Sequence, residues 1–291
     1  MKFTTFQYGN KISAGIIQGS IIIDLAIAFF KTFRRPFKFV DLRDFLSVNG
    51  VEKIRELDWG AIKSDNKASY RLRDVELKAP ILRPPKIIAV GLNYKDHAAE
   101  QNIKPPSAPL LFAKAANTVI GNGDAIEIPY GISTQIDYEV ELAIIIGKDC
   151  HKISKEEAIS CVFGFTILND ITARDIQSTD KQWYRAKSFA TFAPMGPIVI
   201  TPDELDYGNL NISLTLNGEM MQNANTNNLI FDIPSLISYI SHCHPLEIGD
   251  VISTGTPAGV GVFRKPPVFL KAGDELISEV EGIGILRNTV K

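Results

Sequence analysis

The sequence predicts a strand-rich α+β fold, with a small N-terminal α+β unit ahead of a larger β-rich one. Three observations carry this prediction. Short runs of β-branched and aromatic residues recur along the chain, Gly and Pro separate most of them, and the helical patterns between them are too few for a doubly wound sheet. No internal repeat and no low-complexity tract breaks the pattern.

The elements follow in order. Residues 1–78 form the small unit, with strands expected at 3–7, 13–17 and 20–25 around the turn signals Gly9-Asn10 and Gly19. Brief helices are expected at 41–46 and 52–57. Ala79-Pro80 and Arg83-Pro84-Pro85 then punctuate the chain, because Pro continues neither a helix nor an inner strand. The larger unit therefore spans 79–291. Within it, strands are expected at 87–90, 138–146, 163–168, 197–200, 212–216, 250–254 and 275–280, and helices at 94–101, 155–161 and 233–241.

Bulk properties narrow the function. The chain has 291 residues, 45% hydrophobic and 22% charged, so it can bury a sizeable core. Its 31 Lys and Arg against 33 Asp and Glu leave a net charge of −2, with no basic field for nucleic acid or anionic lipid. Small molecules are the default partner. Met1-Lys2-Phe3-Thr4-Thr5 lacks a signal-peptide pattern, and no apolar run approaches the ~18 residues of a membrane span. Cys150, Cys161 and Cys243 form no CxxC pair, so a reducing cytoplasm is the expected compartment.

The most informative stretch is Asp137-Tyr138-Glu139-Val140-Glu141-Leu142, which runs into Ala143-Ile144-Ile145-Ile146. On a strand, Asp137, Glu139 and Glu141 share one face. Like charges so placed need a cation, water or a basic partner. A solvated or salt-bridged edge strand fits this segment alone as well as a metal site does. Asp170, at the tip of the apolar run 163–168, favours the metal. Glu139, Glu141 and Asp170 make a hard, all-oxygen set suited to Mg²⁺ or Mn²⁺, whereas zinc prefers His or Cys. His242-Cys243-His244 offers such ligands but reads as a helix end.

His97 and Glu100 lie three apart on the expected helix 94–101, capped by Asn93. The pair suits a general base oriented by a carboxylate, and equally a plain surface ion pair. The following segment, with Pro105-Pro106 and Ser107, has the composition of a lid. Arg174 reads chiefly as a structural partner of Asp175, and Lys187 as a candidate anion contact. Gly255-Thr256-Pro257-Ala258-Gly259 lacks the ending of a P-loop; it could instead present Thr256 and nearby amides, Gly255 included, to a substrate carboxylate.

Segments 91–100, 137–147, 169–177, 187–197 and 249–261 together resemble the fumarylacetoacetate hydrolase family, in the family's order. The resemblance implies a mixed β-roll catalytic domain, a small N-terminal domain and a homodimer. It implies one Mg²⁺ or Mn²⁺ per subunit at Glu139, Glu141 and Asp170. It also implies a His97–Glu100 dyad on a helix that orders around substrate, with Lys187, Gln177 and Thr256 contacting the ligand. Ala190 departs from the pattern, since many relatives carry an acid after Lys-Ser-Phe. The function so implied is enolate chemistry on small keto acids, either hydrolysis of acylpyruvates or decarboxylation of oxaloacetate. The alternatives are isomerisation of a hydroxymuconate-type or hydroxyhepta-diene-dioate substrate, and, in another class, non-catalytic metabolite binding.

Overall fold

In the computed structural model, which describes residues 1–63 and 67–291, the two most apolar strands lie side by side at the centre of the molecule. Val140–Ile146 and Val162–Asn169 pair antiparallel and are buried along their whole length. Uninterrupted apolar runs of this kind need cover on both faces. Period-two alternation divides Val140–Ile146 between two cores, and a register shift at Ile145–Ile146 takes Phe163 off the parity of Phe165 and Ile167. Leu142, Ile144, Ile146, Phe165 and Ile167 enter one cluster, while Ala143, Ile145, Phe163 and Leu168 enter the other.

These strands sit inside a twelve-stranded sheet. From one edge its order runs through Ser69–Arg71, Ile21–Asp24, Lys11–Gln18, Lys2–Tyr8, Ala193–Ile200 and Val162–Asn169. It continues through Val140–Ile146, Val251–Ser253, Ile87–Gly91 and Leu110–Lys114, and two short strands branch off it, Glu76–Lys78 on Lys2–Tyr8 and Val119–Ile120 on Ala193–Ile200. The expected N-terminal strands all form. The first of them hydrogen-bonds across the chain, with Lys2 opposite Ile200 and Phe3 opposite Val199. One face of this sheet carries Phe3, Leu25, Phe29 and Phe45 of the N-terminal segment. The other face meets a five-stranded sheet built on Asn211–Leu216 and Glu275–Val280, and the helix Ile233–Cys243.

Several elements differ from expectation. The helix Leu25–Phe33 follows the third strand and is capped by Asp24, whose carboxylate accepts from the Ile27 amide at 3.1 Å. Strands Leu110–Lys114, Glu219–Asn225 and Gly284–Val290 join the two sheets. The strand expected at 138–146 begins at Val140, and Ile136–Asp137 ahead of it is a separate piece paired to a different neighbour. Among the described residues no helix is long and apolar enough to cross a membrane.

Candidate active site

The carboxylates meet because two strand ends are tied together by backbone. Val140 lies opposite Asn169, and the Asp170 amide donates to the Glu139 carbonyl at 2.8 Å. The Asn169 side-chain oxygen accepts from the Glu139 amide at 2.9 Å. One carboxylate oxygen each of Glu139, Glu141 and Asp170 then lies within 4.8 Å of the other two, and all three residues are buried.

Asp137 does not join them. The break after Ile136–Asp137 turns its carboxylate towards Arg174 Nε at 2.8 Å and the amides of Gly261 and Val262 at 2.7 and 3.0 Å. The shared face expected for three acids therefore holds for two. Arg174 likewise leaves the role expected for it. It spans Asp137 and Glu139, with Nη2 at 2.6 Å from Glu139 Oε1, whereas Asp175 accepts from Ser133. The stronger field of two buried acids wins over a sequence neighbour.

Lys187, at the end of the short helix Tyr184–Lys187, places Nζ at 2.7 Å from Glu139 and 2.6 Å from Asp170. Lys114, which no sequence motif marks, sits fully buried at 2.6 Å from the other Asp170 oxygen and also donates to the Lys187 carbonyl. Its only local mark is a lysine closing the otherwise apolar run Leu110–Lys114. Four acids thus face three cations, leaving one negative charge in excess. Burial alone would raise the Glu139 carboxyl, but Lys187 and Arg174 hold it down at about 2. Glu141 has no such partner. Burial, reinforced by Asp170 and Glu139, pushes it up to about 8, although Ser253 Oγ (2.5 Å) and the Gly255 amide (2.8 Å) donate to it. Below that value a proton on Glu141 offsets the excess charge. The same residues fit a divalent cation: three convergent oxygens, all hard donors, and an uncompensated charge that an ion would satisfy better than a proton.

Gly255 thus supports an acid rather than facing a ligand, and its φ of +106° with a Cβ site only 2.8 Å from Asn93 admits no side chain. Thr256 donates to the Val140 carbonyl at 3.0 Å and accepts from the buried Gln222 at 2.8 Å, which fixes it in the wall.

The expected dyad forms. On the helix Lys95–Glu100, His97 Nδ1 lies 2.6 Å from Glu100 Oε1, and the Gly259 amide donates to Glu100 Oε2 at 3.0 Å. Asn93 is not the cap of this helix. Its side chain donates to the Thr254 and Phe231 carbonyls and accepts from the Phe231 amide, so tertiary partners replace the local one. One cavity of about 330 Å³ collects His97, Glu139, Glu141, Gln177, Lys187 and Thr256, closed on its apolar side by Phe112, Trp183 and Phe263. Gln177 accepts from Arg174 at 2.9 Å. His242 and His244 bond only to nearby carbonyls, away from this cavity.

Residues 86–291 match the family model described as fumarylacetoacetate (FAA) hydrolase C-terminal. Oxaloacetate tautomerase FAHD2A, mitochondrial, of Homo sapiens is 46% identical over 220 residues, which cover 75% of this chain and 70% of that protein. The solved fumarylacetoacetate hydrolase from psychrophilic Exiguobacterium antarcticum is similar at a TM-score of 0.83 and 36% identity, over 100% of this chain and 99% of that one. A 5-carboxymethyl-2-hydroxymuconate delta-isomerase from Mycobacterium smegmatis gives a TM-score of 0.78 and 32% identity, over 100% and 98%. The strand-rich α+β architecture is the one these neighbours share. With the family model covering the second sheet and the whole carboxylate cluster, this chain belongs to the fumarylacetoacetate hydrolase family of enzymes.

Proposed function

We propose that the chain interconverts the keto and enol forms of a short 2-oxo diacid such as oxaloacetate, with one Mg²⁺ or Mn²⁺ held by Glu139, Glu141 and Asp170. The observation that carries this reading is the juxtaposition of the buried carboxylate trio with Lys187 and a carboxylate-oriented histidine in one small cavity. The oxaloacetate tautomerase relative supports the choice of substrate. A bound divalent ion would supply the positive charge that stabilises an enolate oxygen.

The protein's own groups do the rest. Glu100, tied by the Gly259 amide, holds the His97 ring by Nδ1, so the far nitrogen serves as the base. His97 takes the proton from the carbon beside the keto group, and the proton is returned to oxygen to give the enol, or moves the reverse way. Lys187 and Arg174 line the cavity, and with an ion offsetting the acids that pair with them their charge would favour the anionic head of the substrate. Phe112, Trp183 and Phe263 limit water at the reacting carbon.

Hydrolysis of acylpyruvates is the second reading, favoured by the same dyad acting on water. Decarboxylation needs only the enolate stabilisation. A spectrophotometric assay of the oxaloacetate enol band, run with acetylpyruvate cleavage and CO₂ release in parallel and with and without Mn²⁺, separates the three. Enol formation no faster than in buffer removes the tautomerase reading. We propose further that residues 79–291 carry the chemistry and residues 1–78 brace its central sheet.

A further inference from the structure

We infer that Gln101 is a positioning residue for His97: its side-chain amide holds the ring's Nε2 as the unprotonated nitrogen and marks where the transferred proton sits. This rests on the reading of His97 as the base. Gln101 Nε2 lies 2.9 Å from His97 Nε2, and Glu100 Oε1 lies 2.6 Å from Nδ1. A carboxylate only accepts and an amide nitrogen only donates. Nδ1 therefore carries the hydrogen and Nε2 presents its lone pair, and the ring is clamped in the one neutral tautomer that can act as a base towards the cavity.

The spacing makes the clamp local. Glu100 and Gln101 are three and four residues past His97, so both reach the same ring from one helix face. The helix stops immediately after them. Asn102 takes a left-handed φ of 53°, its amide donates to Ala99, and the Ile103 amide donates to Ala98, each at 3.0 Å. That double bond pattern closes the helix and fixes the backbone of Gln101 at its end. Gln101 and His97 both line the cavity, beside Ile103.

Nε2 has a single lone pair, so an incoming substrate proton must displace the amide. The amide hydrogen thus occupies the place where the substrate's hydrogen arrives. The charged groups around the ring are Glu100, Asp96, whose carboxylate accepts from the His97 amide at 2.8 Å, Glu139 and Glu141 from the central sheet, and Lys187 and Arg174 across the cavity. Changing Gln101 to Glu exchanges the donor at Nε2 for an acceptor and leaves those groups in place.

The test reads the ring directly in the full-length protein. In the ¹⁵N spectrum of the His97 side chain, wild type is expected to show a protonated Nδ1 and an unprotonated Nε2 at neutral pH. Gln101→Glu is expected to protonate Nε2 and to move the acidic limb of kcat/KM upward by about one pH unit. Gln101→Met, which keeps shape but donates nothing, is expected to lower kcat about tenfold with KM within twofold and an unchanged melting temperature. An unmoved Nε2 signal and an unmoved limb in Gln101→Glu overturn the inference. Full activity in His97→Ala, with the Nε2 signal still moved by Gln101→Glu, sinks the base assignment alone and leaves the clamp standing.

Discussion

Glu139 and Glu141 are two residues apart, equally buried and chemically identical, yet their surroundings drive them in opposite directions. Glu139 faces Lys187 and Arg174, whereas Glu141 faces other acids, a serine hydroxyl and an amide. Replacing Glu139 by Gln is expected to abolish Mn²⁺ binding and turnover together. Calorimetric titration with undiminished affinity would dismiss Glu139 as a ligand. Glu141 supplies the pH dependence. Its folded value of about 8 lies above the ordinary 4.5, so between those limits the folded chain binds a proton that the unfolded chain has lost. Metal-free stability therefore falls as pH rises through that window. Glu139, held at about 2, loses its contribution only below its ordinary value, so the two windows do not overlap. Urea midpoints of the metal-free protein are expected to decrease from pH 5 to pH 8, and the slope should flatten in Glu141→Gln. Saturating Mn²⁺ should flatten that slope as well, because the ion displaces the Glu141 proton and neither the folded nor the unfolded chain then carries it in this window.

At the scale of elements, the site depends on segments whose polar residues are satisfied at long range. Asn93 makes three side-chain hydrogen bonds to the 231 and 254 backbone, joining the start of the dyad's helix to the Gly255–Thr256 turn. Asn93→Ala leaves those buried groups unpaired, which costs about 1–3 kcal/mol for each one. A lowered melting temperature and a loosened dyad, seen as a larger loss in kcat than in metal affinity, are expected; an unchanged melting curve would show the bonds to be dispensable. Asn93 also shows where sequence reasoning ends. Its position before a helical pattern fits a cap, and only the fold reveals the better partners. The strands that build the central core, and the Glu139, Glu141 and Asp170 set, are legible because period-two alternation and apolar runs are local signals, whereas Glu219–Asn225 and Gly284–Val290 carry no such mark and Leu110–Lys114 only a short apolar run. Asp137 was misread because a two-residue break is invisible in alternation. Arg174 and Lys114 take their meaning from residues 37 and 56 positions away. The helix Leu25–Phe33 is hard to read because residues 25–30 are all apolar, so the buried positions 25, 28 and 29 do not stand out from their neighbours.

Across the whole molecule, the carboxylate cluster sits at the ends of strands whose opposite face is covered by the N-terminal segment. Phe3 packs its ring 5.0 Å from Phe163 and 5.6 Å from Phe45, so the N-terminal segment reaches the strand Val162–Asn169 that leads into Asp170. The Lys2–Tyr8 strand also completes the hydrogen bonding of Ala193–Ile200. Expressing 79–291 alone would uncover Phe163, Leu168, Met195 and Val199 together with an unpaired sheet edge, a combination that favours aggregation. That fragment is expected to be insoluble or to lose cooperative unfolding. A gentler test is Phe3→Ala in the full chain, where removing a buried aromatic costs about 3–5 kcal/mol. Because Phe3 touches none of the acids, Mn²⁺ affinity measured well below the melting temperature should remain within about twofold, a change of less than 0.5 kcal/mol. A soluble 79–291 fragment with wild-type metal affinity and turnover would show that the brace is unnecessary, and that the acids are held in register by the central strands alone.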